Sequence, residues 1–251
     1  MKLGVALSGG GVRCTAQLAI LDALRNVGIE ADVYAGASGG ALVASMILAG
    51  HSADDILSLV RDLSIYRQLK LKYTLTGILD PATAFKAFTN KLPANFNDLA
   101  KPLRIVATDL EQGSCAVFHQ GPLPEAVLAS CCMPVIFAPV VINNTPYIDA
   151  GLVNNLPADT LQDCDTIVGI HTNPIQKNFK NMGIRSIVER SFLLAINGNV
   201  AQHKSMCSLY LEPEFLAEYR VFDFNKIKEI YTRSQEWIIP RLSEIKDKLN
   251  G

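Results

Sequence analysis

Ser38 lies at the centre of the pentapeptide GASGG, which runs from Gly36 to Gly40. Residues 31–37 before the serine predict a strand, and residues 39–49 after it predict a helix. A serine on a sharp turn between strand and helix is typical of a nucleophile elbow. The free amides and the dipole at a helix start help to stabilise an anion. The pattern predicts a nucleophilic serine, and its alternative is a tight turn of small residues without chemistry.

Three consecutive glycines, Gly9 to Gly11, follow another predicted strand, residues 2–8. Backbone amides in such a loop can hold the phosphate of a dinucleotide or the oxyanion formed during acyl transfer. A dinucleotide fingerprint needs a small residue where this chain has Cys14, and an acidic residue at the end of the next strand. Asp32 has about the right spacing, but it stands at the start of that strand. The loop therefore favours an oxyanion hole.

Asp149 is the candidate general base, because it follows an apolar, β-rich stretch and precedes the small residues Ala150 and Gly151. Small residues allow a sharp turn and a close approach to the carboxylate. An aspartate can deprotonate a serine when burial raises its pKa and the two groups are in contact. Two alternatives remain open, a purely structural turn aspartate and a Ser-Asp-His triad that uses His171 or His203.

Strands and helices alternate along the first half of the chain, which is typical of an α/β fold with a mostly parallel sheet. Predicted strands cover residues 2–8, 31–37, 103–110, 114–120, 165–172, 207–213 and 219–224, with a hairpin that turns at Asn143–Asn144. Predicted helices cover residues 12–27, 39–49, 124–132, 184–196 and the segment from Asn225, which Pro240 bends or restarts, and two more begin at the capping residues Ser52 and Asp80. We see no domain boundary, and expect one domain over residues 1–251.

Composition excludes several classes of protein. Half of the 251 residues are apolar (49%), so the chain can bury a large core, and the net charge of −1 does not favour nucleic-acid binding. No apolar run reaches the roughly 18 residues of a membrane span, and the N-terminal run is shorter than the ~7–15 residues of a secretory signal. The six cysteines form no CxxC pair. We expect a reduced, cytoplasmic or peripherally membrane-bound protein without a metal or another cofactor.

Three segments together resemble the patatin-like phospholipase family: GGGVRC at 9–14, GASGG at 36–40 and DAGLVNNLP at 149–157. The segment ASCCMPVIFAPV at 129–140 is similar to the one that precedes the aspartate motif in that family. The resemblance covers about residues 3–160. It implies a three-layer α/β/α fold, a Ser-Asp dyad without histidine, and lipid acyl hydrolase activity that needs no calcium in the active site.

By this resemblance, Ser38 is the nucleophile and Asp149 is the general base. The oxyanion hole consists of the backbone amides of Gly9, Gly10 and Gly11. The supporting positions of the motifs are Arg13, Gly36, Gly40 and Gly151. The implied reaction is hydrolysis of fatty acyl esters, as by a phospholipase A or an esterase. The alternative within the family is a catalytically weak, lipid-binding or regulatory protein.

Two positions depart from the family pattern. Cys14 replaces a glycine, and it is either a thiol whose pKa is lowered at a helix start or a small buried side chain. Ala150 replaces the middle glycine of the aspartate motif, so the backbone there must avoid a strongly positive φ.

Residues 52–95 form the predicted cap. Within it, residues 61–75 alternate basic and apolar side chains, which suits contact with an anionic lipid surface. The alternative is a solvated helix and loop with exposed lysines.

Overall fold

The computed structural model describes residues 1–62, 79–177, 179 and 182–250. All but the first two residues of the predicted lipid-contacting stretch 61–75 lie outside the described residues. The centre of the predicted cap, 52–95, lies outside them too.

The described residues form one sheet of eight strands in the order β5-β6-β3-β2-β1-β7-β8, with β4 also paired to β3. The strands are β1 (Leu3–Leu7), β2 (Val33–Ala37), β3 (Leu103–Asp109), β4 (Ser114–Phe118), β5 (Val140–Ile142), β6 (Thr145–Ile148), β7 (Thr166–Ile170) and β8 (Leu209–Leu211). The pairs β1–β2, β1–β7, β2–β3 and β7–β8 are parallel, while β4, β5 and β6 pair antiparallel. The predicted α/β class with a mostly parallel sheet is confirmed.

The described residues also form helices, some of which pack directly against the sheet and others against neighbouring helices. The helices are α1 (Thr15–Asn26), α2 (Gly39–Leu48), α3 (Ala53–Asp62), α4 (Pro81–Ala84), α5 (Lys86–Thr89), α6 (Leu123–Cys131), α7 (Ile184–Lys204), α8 (Ile227–Ile238) and α9 (Leu242–Asn250). Successive side chains of a strand point to opposite faces of a sheet. Accordingly, Val5 and Leu7 belong to the larger core cluster, while Ala6 belongs to a second one with Val200 of α7. One core thus lies on each face of the sheet, between the strands and the helices. This arrangement gives the three predicted layers of helices, sheet and helices.

Strand register brings the candidate residues to one edge of the sheet. Ala37 pairs with Val106 on β3, so Ser38 follows at the level of Ala107. On the other side of β3, Ile148 pairs antiparallel with Thr108, which brings Asp149 to the level of Ala107 as well. The sheet therefore places the serine and the aspartate on either side of the same strand.

Several local predictions are confirmed. The hairpin turns at Asn143 and Asn144, which both have the positive φ values (51° and 69°) of a two-residue turn. The C-terminal segment forms α8 and, after a 3-10 turn at Ile239–Arg241, restarts as α9. The helix predicted over 184–196 continues to Lys204.

The strand predicted over residues 219–224 is wrong. This segment pairs with no strand among the described residues. Instead, the carbonyl oxygen of Val221 accepts a hydrogen bond from the amide of Val12 at 3.0 Å. The segment therefore contacts the residue that directly follows the glycine loop.

Candidate active site

Ser38 occupies the strained turn that the pentapeptide predicts. Its φ of 48° and ψ of −125° are values that a residue with a side chain rarely adopts, and α2 begins at the next residue. A Cβ on Gly36 would lie 2.6 Å from the Cα of Ala41, and one on Gly40 would lie 2.5 Å from the carbonyl oxygen of Leu7. The turn therefore requires glycine at both positions.

Two hydrogen bonds hold this turn. The amide of Ser38 donates to Oγ of the buried Ser130 on α6 at 2.8 Å. The carbonyl of Ser38 accepts from the amide of Leu42 at 3.1 Å, in the first turn of α2. Two helices thus fix the backbone of the serine. The side-chain hydroxyl of Ser38 takes no part in these two hydrogen bonds.

Asp149 is buried and only 7% exposed. Its Oδ1 accepts a hydrogen bond from the amide of Gly151 at 2.8 Å, whereas its Oδ2 has no partner in the described part of the chain. Its backbone is held by Oγ1 of Thr108, which donates to the Asp149 carbonyl at 2.8 Å, and by the Cys132 carbonyl, which accepts from the Asp149 amide at 2.9 Å. The carboxylate therefore has one fixed oxygen and one that is available to accept a proton.

Burial raises the pKa of Asp149 to about 6, although its interactions with the Ser38 hydroxyl and the Gly151 amide lower it. The Ser38 hydroxyl is thus close enough to influence the carboxylate, but it does not complete a hydrogen bond to the unpartnered Oδ2. Such bonds are often long in a resting site and shorten when substrate binds.

Ala150, the departure from the family's aspartate motif, is accommodated without positive φ. It begins the 3-10 turn Ala150–Leu152, and its buried methyl group packs with Ala37 and Val106. The methyl group therefore fills space beneath the elbow and leaves the carboxylate of Asp149 free.

The three glycines of the loop have different surroundings. The amide of Gly9 donates to the carbonyl of Asn155 at 3.2 Å, so one of the three predicted oxyanion donors is already engaged. The amides of Gly10 and Gly11 donate to no protein acceptor within the described ranges. Gly11 has a φ of 58°, and a Cβ there would collide with the carbonyl oxygen of Val221. The amides of the loop that remain able to donate to an oxyanion are therefore those of Gly10 and Gly11.

Arg13 is a support for the loop. It is 4% exposed, and its guanidinium donates from Nε and Nη2 to the carbonyl of Tyr219 and from Nη1 to Oδ1 of Asn173. Burial lowers the pKa of Arg13 to about 10. The arginine ties the glycine loop to the C-terminal segment.

Cys14 is a buried thiol. Burial raises its pKa to about 12, so the alternative of a lowered pKa at a helix start is wrong. A Cβ on Gly39 would lie 2.7 Å from Sγ of Cys14, so the thiol lies beneath the residue that follows Ser38.

Both histidines of the alternative triad have other partners. Nδ1 of the fully buried His171 lies 2.8 Å from Oε1 of Glu212 and 2.9 Å from the hydroxyl of Tyr210. Nδ1 of His203 lies 3.2 Å from the carbonyl of Leu156. The structure brings neither of them into hydrogen-bond contact with Ser38 or Asp149, so a Ser-Asp-His triad does not fit.

An apolar cavity of about 70 Å³ opens beside the serine and the aspartate. Its wall comes from the first three helices, the segment after α6 and the C-terminal segment. The lining residues include Leu18, Leu42, Val43, Ile56, Val60, Phe85, Met133, Phe137, Val221, Phe222 and Phe224. Ser38, Gly39 and Asp149 lie in the same wall. Asp149 is thus the single carboxyl group among the described lining residues.

No helix in the described ranges is long and apolar enough to cross a membrane. The same residues hold no cluster of three or more histidine, cysteine, aspartate or glutamate side chains suited to a metal ion.

Comparison with known proteins places these residues in a family. The sequence profile described as patatin-like phospholipase matches residues 5–161, which hold the glycine loop, the elbow and the aspartate motif. The chain belongs to the patatin-like phospholipase family. The predicted resemblance is therefore confirmed.

Two relatives illustrate the extent of the sequence similarity. An uncharacterized NTE family protein of Mycobacterium tuberculosis is 31% identical over 160 residues, 62% of this chain and 44% of the relative. Patatin-like phospholipase domain-containing protein 7 of Rattus norvegicus is 25% identical over 272 residues, 91% of this chain and 20% of the relative. The chain thus spans less than half of the length of either relative.

A solved phospholipase structure shares the fold. Human GIVD cytosolic phospholipase A2, in complex with methyl gamma-linolenyl fluorophosphonate, superimposes with a TM-score of 0.53. The match covers 99% of this chain and 58% of the human chain at 10% sequence identity. At that identity, the likeness shows the fold.

Several residues that support the site could not be identified from the family motifs. Ser130 lies in the segment 129–140 that resembles the family. The sequence of that segment does not indicate that the Ser130 side chain accepts a hydrogen bond from the Ser38 amide. Thr172 and Asn173 follow β7 and donate from their side chains to the carbonyl of Gly9. Their position after a buried strand, at the same edge as the elbow, is the signal that could have found them.

Proposed function

We propose that the protein is a serine lipid acyl hydrolase of the phospholipase A or esterase type, formed by one domain over residues 1–251. The observation that carries the proposal is the pairing of Ser38, on a strained elbow, with the buried Asp149 in the wall of an apolar cavity. A carboxylate with a pKa of about 6 is a better proton acceptor than an ordinary aspartate.

In the first step, Oγ of Ser38 attacks the carbonyl carbon of an ester while Asp149 takes the hydroxyl proton. The amides of Gly10 and Gly11 donate to the resulting oxyanion, and loss of one such donor typically costs 10²–10³ in rate. The tetrahedral intermediate collapses, the ester C–O bond breaks, and the leaving alcohol takes the proton from Asp149. An acyl group remains on Ser38.

In the second step, water attacks the acyl-enzyme and gives its proton to Asp149. The bond between Oγ and the acyl carbon breaks, and Ser38 recovers a proton as the fatty acid leaves. Another alcohol in place of water would make the same protein a transacylase. The residues require no metal ion or cofactor for either step.

The cavity supports an aliphatic acyl group as the bound part of the substrate. Its lining side chains are aliphatic and aromatic, apart from the two reacting groups, the hydroxyl of Thr15 and the sulfur-containing side chains of Cys14, Cys131 and Met133. Burial of an unpaired charge among apolar side chains is costly, and the carboxylate of Asp149 would repel an anion as well. The substrate that fits best is a neutral lipid chain carried on an ester.

A matched pair of esters tests this proposal. We expect turnover of p-nitrophenyl octanoate, and a kcat/KM at least about 100-fold lower for the p-nitrophenyl ester with the same chain ending in a carboxylate. Release of p-nitrophenolate measures both rates, and a Ser38→Ala variant supplies the background.

Equal rates for the two esters would contradict an apolar acyl site. Binding of the octanoyl ester without turnover would favour the alternative of a lipid-binding or regulatory protein.

A further inference from the structure

Helix α7 brings two asparagines against the loops of the candidate site. Asn197 and Asn199 lie outside residues 5–161, which match the family. Both side chains are partly buried, and both make hydrogen bonds to loop backbone. Asparagine in the interior of a helix is a poor helix former, which indicates a role in contacts beyond the helix.

The side chain of Asn199 holds both ends of the turn that follows Asp149. Its Nδ2 donates to the carbonyl of Gly151 at 2.9 Å. Its Oδ1 accepts from the amide of Asn155 at 2.9 Å. One amide group thus spans the segment between the two residues, using its donor and its acceptor at once.

Each of these contacts leads directly to a reacting part of the site. Gly151 is the residue whose amide donates to Oδ1 of Asp149 at 2.8 Å. Asn155 is the residue whose carbonyl accepts from the amide of Gly9 at 3.2 Å, and Gly9 directly precedes the two free loop amides. A Cβ on Gly9 would lie 2.9 Å from Cβ of Ser38. Asn199 therefore connects the aspartate turn to the glycine loop through one intervening residue.

Asn197 makes a parallel connection. Its Nδ2 donates to the carbonyl of Asn173 at 3.0 Å, and Nδ2 of Asn173 donates to the carbonyl of Gly9 at 2.5 Å. The helix thus reaches the glycine loop along two routes, of which only the route through Asn199 also includes Asp149.

We propose that Asn199 is a positioning residue that fixes the Asp149 turn and the glycine loop relative to each other. The inference rests on the proposed function, because the two loops are those of the proposed dyad and oxyanion hole. Misplacement of a reacting group by about 1 Å can cost about 10²-fold in rate. A leucine or an alanine at this position would remove both hydrogen bonds while leaving Ser38 and Asp149 in the chain.

The test compares wild type with Asn199→Ala and with the near-isosteric Asn199→Leu, using p-nitrophenyl octanoate. We expect kcat to fall about 10- to 100-fold and KM to change less than about twofold. The hydrogen bond from Gly151 lowers the pKa of Asp149. A loosened turn weakens that bond, so the acid limb of the pH profile should move to higher pH. Ser191→Ala, on an exposed part of the same helix, is the matched control and should behave as wild type.

Rates are measured at a temperature where circular dichroism shows each variant folded. A folded variant with wild-type kcat and an unmoved acid limb would overturn the positioning role. If both variants are unfolded at every temperature, Asn199 belongs to the fold and the inference fails as well. An inactive wild type would instead contradict the proposed function.

Discussion

Replacing Ser38 by alanine is expected to lower the turnover of p-nitrophenyl octanoate by about 10⁴-fold or more, to the background rate. The loss is this large because no other group in the proposed mechanism can form the acyl-enzyme, and removal of a nucleophile disables the remaining machinery with it. Steady-state release of p-nitrophenolate measures the effect. Turnover within about tenfold of wild type would reassign the nucleophile.

A second substitution at the same position separates chemistry from strain. Ser38→Gly also removes the hydroxyl, but it relieves the strain of a positive φ, which costs about 1–3 kcal/mol for a residue with a side chain. Glycine also lowers the free energy of unfolding by about 0.5–1 kcal/mol relative to alanine, because it has more conformational freedom in the unfolded chain. We therefore expect both variants to be inactive, and Ser38→Gly to be about 1 kcal/mol more stable than Ser38→Ala.

Replacing Asp149 by asparagine is expected to abolish most of the turnover and to stabilise the fold. Asparagine keeps an oxygen that can accept from the Gly151 amide, but it cannot take the Ser38 proton. In wild type, kcat/KM should rise with pH through about 6, because the carboxylate must be ionised to act as the base. Assays from pH 4.5 to about 8 give the midpoint, and a flat profile would contradict Asp149 as the base.

The sign of the stability effect follows from the same pKa. Burial raises the pKa of Asp149 from 3.8 to about 6, so the folded state opposes ionisation. The penalty is absent below about pH 4, grows as the pH rises to about 6, and then reaches up to about 3 kcal/mol. Thermal unfolding should therefore show a larger gain in Tm for Asp149→Asn at pH 8 than at pH 4.

A carboxylate with the opposite shift is the matched control. Hydrogen bonds from Arg104 and Lys2 hold the pKa of Asp163 well below its usual value. Asp163→Asn should therefore lower Tm at pH 8 and still do so near pH 4, because the contribution of a lowered pKa is lost only as the pH falls below the pKa of an ordinary aspartate. If both substitutions changed Tm equally, the effect of Asp149→Asn on stability would not come from removal of the buried charge.

The elbow illustrates what the sequence predicts well. Contacts within the turn itself require glycine at position 36, so the pentapeptide contains that constraint, whereas glycine at position 40 is required by the carbonyl of Leu7 at the end of β1. The alternation of strands then predicts the parallel sheet that brings the glycine loop to the same edge. Asp149 joins them through the pairing of β6 with β3, which no local pattern specifies.

The supporting contacts are harder to predict because they use backbone groups. The carbonyls of Tyr219 and Val221 hold Arg13 and Val12, and a carbonyl has no signature in the sequence. For the same reason, the engagement of the Gly9 amide by Asn155 could not be foreseen. These contacts join distant parts of the chain, and only the packed structure reveals them.

Covalent labelling with an alkyl fluorophosphonate tests the central claim most directly, that Ser38 is the nucleophile activated by Asp149. Attack by Oγ on phosphorus expels fluoride and leaves a stable adduct, which peptide mass spectrometry locates. We predict one adduct on Ser38 in wild type, none in Ser38→Ala, and labelling that is at least about 100-fold slower in Asp149→Asn. An adduct on another serine, or equal labelling rates in wild type and Asp149→Asn, would contradict the account.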